Sequence, residues 1–103
     1  MRTLKFKKKY REMIISGRKR ATLRKEADFD LGDIVILEVG GERIGEAVIK
    51  GVEEVSVEEL NDEIAREDGF ENLHELLEEL RSIYGEEILA GGVKLKLIRF
   101  ERL

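Results

Sequence analysis

The chain has no cysteine, no proline and no glutamine, a single histidine (His74), and no long apolar run. Without cysteine there is no disulfide, no thiol nucleophile and no sulfur-ligated zinc. One histidine leaves little basis for an imidazole metal site or a histidine-based triad, so no metal and no cofactor is expected. The roughly 18–20 continuous apolar residues of a membrane span are absent, and no membrane partner is expected. The opening MRTLKFKKKY is basic with no apolar stretch behind it, so a secretory signal is not expected and the protein is read as cytoplasmic. There are no repeats, no proline-rich linker and no low-complexity stretch. At 103 residues the chain reads as one domain, 1–103, with a monomer as the expected state.

Charge is what the sequence has in excess. Lys, Arg, Asp and Glu make up 41% of the residues, and asparagine occurs only at 61 and 72. Dense charge with few labile amides is the pattern of proteins from hot environments, where ion-pair networks gain value. The distribution matters more than the net −4. Residues 1–25 hold eleven Lys/Arg and one acid, Glu12, whereas residues 26–103 hold eight Lys/Arg and twenty-two acids. Such polarisation makes a positive face able to attract phosphates on a protein whose overall charge is negative.

The hydrophobic pattern predicts about five strands and three helices. Residues 3–6 (TLKF) suit a short strand. Tyr10, Met13 and Ile14 recur at helical spacing, and Gly17 suits the position just past a helix end. Ala21–Arg24 alternates and suits a second strand. Leu31-Gly32-Asp33 reads as a turn before the strand Ile34–Val39, and Gly40-Gly41 as a hairpin. The run 42–57 carries apolar residues on even positions (Ile44, Val48, Val52) and then on odd ones (Val55, Val57), which predicts a bulge near Gly51. Ser56–Glu59 fits a capping box opening a helix with Leu60 and Ile64 on one face, and Asn72–Glu75 fits a second. A last strand spans Val93–Phe100. Consecutive central strands, rather than strand–helix alternation, predict α+β with a mainly antiparallel, closed sheet.

Strand periodicity puts Thr22 and Arg24 on one face of the second strand, with Lys19 reaching over from the preceding turn. Arg24 offers a planar fork for a phosphate or base edge, Lys19 a mobile point charge, Thr22 a hydroxyl. The competing reading is a solvated strand edge. Lys7, Lys8, Lys9 and Arg11 are read as an RNA-backbone footprint or, equally, as a solvated helix face. Tyr10, Phe29 and Tyr84 are the candidate base-stacking rings, with Tyr10 better placed in the core. His74 is expected at a helix start with no ligand, and Glu75, Glu78 and Glu79 facing water or Arg81.

Gly17-x-Lys19-x-x-Thr22-x-Arg24 resembles the G-x-K-x-x-T-x-R signature of the ASCH domain, a branch of the PUA-like superfamily. The preceding I-x-x-G, the later L-G-D, the D-G-F between two helices, the I-Y-G and the final strand follow the same order, so the resemblance covers nearly the whole chain. It implies a PUA-like β-barrel of five to six strands with about three flanking helices and a cleft lined by the motif. Family members are linked to RNA binding, and one bacterial branch hydrolyses the acetyl amide of N4-acetylcytidine. The resemblance therefore implies a ligand site of Gly17, Arg18, Lys19, Arg20, Thr22 and Arg24 for RNA or a modified nucleoside. The alternative it implies is an amidohydrolase whose working groups would be Lys19, Thr22 and an acid at Asp68 or Glu67. The family has glutamate at that last position; an aspartate there withdraws the carboxylate by about 1.5 Å. Arg18, Arg20 and Arg24 are expected to favour loss of the Lys19 proton. A ribonuclease or a protein-interaction module stands behind these two readings.

Overall fold

The computed structural model describes all 103 residues. Five strands, β1 (Thr3–Phe6), β2 (Ala21–Arg24), β3 (Ile34–Val39), β4 (Glu42–Ser56) and β5 (Lys94–Arg102), form one mixed sheet in the order β1-β3-β4-β5-β2. The β1–β3 pair is parallel and the other three are antiparallel. Helices α1 (Arg11–Ile15), α2 (Asp62–Glu67) and α3 (Leu73–Tyr84) complete an α+β fold. The sheet curls into a half-barrel rather than a closed barrel. Its edge strands β1 and β2 are four residues each and do not pair. No helix is long and apolar enough to cross a membrane.

Hydrophobic burial is split between the two faces of the sheet. One cluster joins Leu4 and Phe6 of β1, the inward residues of β3, Ala47 and Ile49 of β4, Ile98 and Phe100 of β5, and Tyr10 and Ile14. The other joins Ala21 and Leu23 of β2 and Leu95 and Leu97 of β5 to Leu76 and Leu80 of α3. Leu97 and Ile98 are therefore both buried although adjacent. Leu95 and Leu97 are buried while Lys94 and Lys96 are not, and the alternation stops where Ile98 follows Leu97.

Local signals were mostly placed as the sequence implied. Gly17 has φ +82°, and Gly40 and Gly41 turn the β3–β4 hairpin at φ +59° and +84°, the positive-φ pair that a tight hairpin needs. The bulge lies beside Gly51: Ile49 and Gly51 face Phe100 and Arg99, leaving Lys50 as the extra residue. Of the even-position residues of β4, Ile44 and Val52 are half-buried against the first cluster, while the fully buried pair is Ala47 and Ile49. The Ser56 capping box forms, with Glu59 bound back to Ser56, but it opens a single 3-10 turn, Val57–Glu59. Leu60 returns to extended backbone and Asn61, accepting from the Ile64 amide at 2.8 Å, caps a separate α2. Likewise Lys8–Tyr10 is a 3-10 turn leading into α1, not one continuous helix.

Candidate functional site

The gap between β1 and β2 is the mouth of a cleft. Arg24 spans it, donating from Nη2 to the Lys5 carbonyl at 2.7 Å and from Nε to the Thr22 hydroxyl at 3.0 Å. Two of the five guanidinium protons are thus engaged, and the plane stacks 5.0 Å from the Phe6 ring. Thr22 and Arg24 do share one face, since Thr22 pairs across to Ile98 and Arg24 to Lys96. The Thr22 hydroxyl oxygen is occupied as an acceptor by Arg24, while its proton remains available to a ligand.

Lys19 enters from below. Its amide donates to the Met13 carbonyl at the end of α1 (2.9 Å) and the next amide, of Arg20, donates to the Glu67 carbonyl at the end of α2 (2.8 Å). The segment after Gly17 is therefore clamped between two helix ends, which drives the Lys19 side chain inward. Its ammonium donates to the Asp68 carboxylate and, at 3.0 Å, to the Asp68 carbonyl. Three rings surround it: Tyr10 at 4.7 Å, Phe70 at 5.6 Å and Phe6 at 5.8 Å. Both charged residues are only 4% exposed. Gly69 lets the loop come this close, with φ +99° and room for no Cβ without crowding Met13 and Lys19.

Burial governs the protonation of this pair. Loss of hydration pushes the Asp68 carboxyl up to about 6, against the attraction of Lys19 and Arg24. The same loss pushes Lys19 down, opposed by Asp68 and reinforced by Arg24. Arg18 and Arg20 are exposed and contribute nothing to that shift, so the expected depression of Lys19 by its neighbours reduces to burial and Arg24. Burial also lowers Arg24, with Tyr84 and Asp68 opposing. Burial thus works against charge on both partners, and their mutual attraction and hydrogen bond work to keep it.

The cleft has a volume of about 170 Å³, and its walls include Phe6, Tyr10, Phe70 and Tyr84. Four of the six aromatic residues of the chain therefore converge here. Phe6 and Phe70 were not read from the sequence as site residues, and Tyr10 was read as core. Phe6 and Tyr10 are close together in the chain and Phe70 is far from both, and only Phe70, in the D-G-F turn, carried a local signal. Phe29 stacks under Arg2 at 4.7 Å, outside the cleft. Glu79 also lines the wall, bound to the Tyr10 hydroxyl and, at 2.7 Å, to Lys9. It was expected to face water or Arg81; instead Glu78 takes Arg81, at 2.6 Å.

The two adjacent acids part company. Asp68 faces the cleft, while Glu67 binds the Arg99 guanidinium at 2.6 and 3.2 Å on the far side of β5. Gly17, Arg18 and Arg20 lie outside the cleft; Lys7 reaches its rim, whereas Lys8 and Lys9, in the 3-10 turn, and Arg11, at the start of α1, line a separate concavity. His74 is exposed in the first turn of α3. No group of three or more His, Asp or Glu side chains is arranged to hold a metal ion.

No family model matches this sequence, and no curated protein does. Solved structures do. An ASCH domain from Lactobacillus crispatus JV V101 superposes with a TM-score of 0.75 over 88% of this chain and 68% of its own, at 19% identity. The fold is that of an ASCH domain. Protein EF3133 from Enterococcus faecalis V583 matches with a TM-score of 0.73 over all of this chain and 82% of its own, at 18% identity. The hypothetical protein PH0355 matches with a TM-score of 0.70 over 97% of this chain and 100% of its own, at 25% identity. In this ASCH fold Lys19, Thr22 and Arg24 of the G-x-K-x-x-T-x-R segment line one cleft together with Asp68.

Proposed function

We propose that this ASCH-fold protein binds RNA or a modified nucleoside, with the base in the cleft between β1 and β2. The observation that carries the reading is the convergence of aromatic walls with a floor of Lys19, Thr22, Arg24 and the Asp68 carboxylate. Stacking on aromatic faces and donor–acceptor contacts to the base edge are how unpaired bases are recognised. The volume is below the roughly 300 Å³ at which drug-sized pockets begin, which suits a base with its sugar and phosphate outside. Lys5, Lys7 and Lys25 at the mouth supply cationic charge for that phosphate. Likeness to an ASCH domain supports the same reading at the level of the fold.

A second reading, hydrolysis of the acetyl amide of N4-acetylcytidine, is favoured by one observation. Asp68, raised to about 6, is a carboxyl able to carry a proton near neutral pH in the same cleft as the Thr22 hydroxyl. Against it, Lys19 is tied to Asp68 and Thr22 has no base as a partner. One experiment addresses both readings: nucleosides and short single-stranded RNAs are screened for binding at low salt while acetate release from N4-acetylcytidine is followed. Binding that disappears in Arg24→Ala, with no acetate from the wild type, is the expected result. Acetate release abolished by Thr22→Ala turns the conclusion to the hydrolase, and no binding by any probe removes the proposal.

A further inference from the structure

Outside the cleft, the same Gly17–Arg20 segment borders a second concavity of about 520 Å³ between the end of α1, the β4 bulge and the end of β5. Its basic side chains come from separate elements: Arg20 from the motif turn, Lys50 from the bulge, Arg99 and Arg102 from β5. Ile15 and Ser16 are shared with a third concavity of about 530 Å³, which Lys8, Lys9 and Arg11 line. The two are thus continuous around the exposed end of α1. Leaving aside Lys19, which is buried against Asp68, they present seven basic residues and three acids on a chain whose net charge is −4. Two of the opposing acids are weak opponents. Glu67 is consumed by Arg99, neutralising that guanidinium in turn, and Glu101 lies 3.9 Å from Lys50 with both side chains more than half exposed; Lys9 and Arg11 are likewise paired, with Glu79 and Glu42. Arg20 has no carboxylate partner, and Arg102 is held only by the Ile15 carbonyl at 3.3 Å. Lys50 is the extra residue of the bulge and lines the groove.

We infer that this joined groove tracks the phosphate backbone of single-stranded RNA, so that one strand runs outside α1 while a base of the same strand enters the cleft. The inference rests on the reading of the cleft given above. It adds residues of β4 and β5 (Lys50 and Arg102) that neither the motif nor the basic N-terminal run includes. A concave, cationic path with few apolar side chains suits a flexible polyanion, and the salt response identifies it. Each phosphate contact on a single strand contributes about 0.7 to the log–log slope of affinity against salt.

The test uses the whole protein, mixed-sequence single-stranded RNA of about eight nucleotides, the nucleosides cytidine and N4-acetylcytidine, and polyglutamate of matching charge. The variants are Lys50→Ser/Arg102→Ser and, as a fold-neutral control keeping both charges, Lys50→Arg/Arg102→Lys. For the serine variant, RNA affinity at low salt is expected to fall by at least about tenfold, with the slope reduced by about 1.4. Nucleoside affinity is expected to be unchanged, and the control to behave as the wild type. Equal RNA affinity and slope in all three proteins overturns the track while leaving the cleft reading in place. Polyglutamate binding as tightly as RNA overturns the assignment to nucleic acid. Failure of the wild type to bind either RNA or nucleoside overturns the track and the cleft reading together.

Discussion

Glu67 and Asp68 are neighbours in sequence, each is paired with a cation, and the two pairs do opposite things. Glu67 ends α2 against Arg99, which also binds Glu53 at 2.7 Å; Arg99 is 36% exposed on its side chain and its guanidinium is held more firmly protonated by those carboxylates. Asp68, one residue on, is turned through the helix end into the cleft, where burial raises it and lowers its partner Lys19. The outer cluster is an ordinary surface network, screened by water and cheap to keep. The inner pair costs desolvation on both ions, and pairs of that kind are often replaceable by apolar side chains at no loss of stability. That cost, beside an open cleft, is why we propose a binding role for the inner pair.

The largest expected effect comes from breaking the inner pair on one side. Lys19→Met leaves a buried carboxylate alone, and stability near neutral pH is expected to fall by about 3–5 kcal/mol by denaturant titration, with ligand binding lost. The deficit should shrink at acid pH, where Asp68 protonates.

Next in size is the pH response of Asp68 itself. Its folded value, about 6, lies above the ordinary 3.8, so the folded state holds the proton more tightly than the unfolded one. The stability it contributes is full below about pH 4 and is lost as pH rises through about 6. Denaturation midpoints of wild type and Asp68→Asn, measured from about pH 4 to about pH 7, should differ by an amount that changes through that window. Parallel curves would place the carboxyl at its ordinary value.

Gly69→Ala is expected to be milder, costing about 1–2 kcal/mol, because it combines a positive φ with a Cβ crowding Met13 and Lys19. Its effect on ligand affinity should exceed its effect on stability, since Lys19 is displaced. Arg99→Ala, on the outer network, should cost about 1 kcal/mol or less and leave nucleoside affinity unchanged.

Much of this contrast was legible in the chain. Gly17, Lys19, Thr22 and Arg24 sit close enough in sequence for turn and strand geometry to bring them together, and the Gly51 phase change announced the bulge. The choice between Glu67 and Asp68 was not legible, because one step around a helix end swings a side chain by about 100° and depends on where that helix starts. That start was misread: Ser56 caps only one turn, and Asn61 begins α2. Phe6, Phe70 and Glu79 were missed for a different reason. The place of Phe6 and Glu79 in the cleft follows from the β1–β2 gap and the packing of α3, which no local pattern encodes, and the D-G-F turn marks Phe70 without showing that its ring faces the cleft. Tyr10 was read as core and is buried, yet the same ring walls the cleft.

The central claim is that Lys19 and Asp68 are kept for binding and not for stability. Lys19→Met/Asp68→Leu removes both charges at once, and its melting temperature with and without single-stranded RNA reports stability and binding together. The account predicts a melting temperature at or above that of the wild type and no RNA-induced rise. A lower melting temperature with the RNA-induced rise preserved would contradict it.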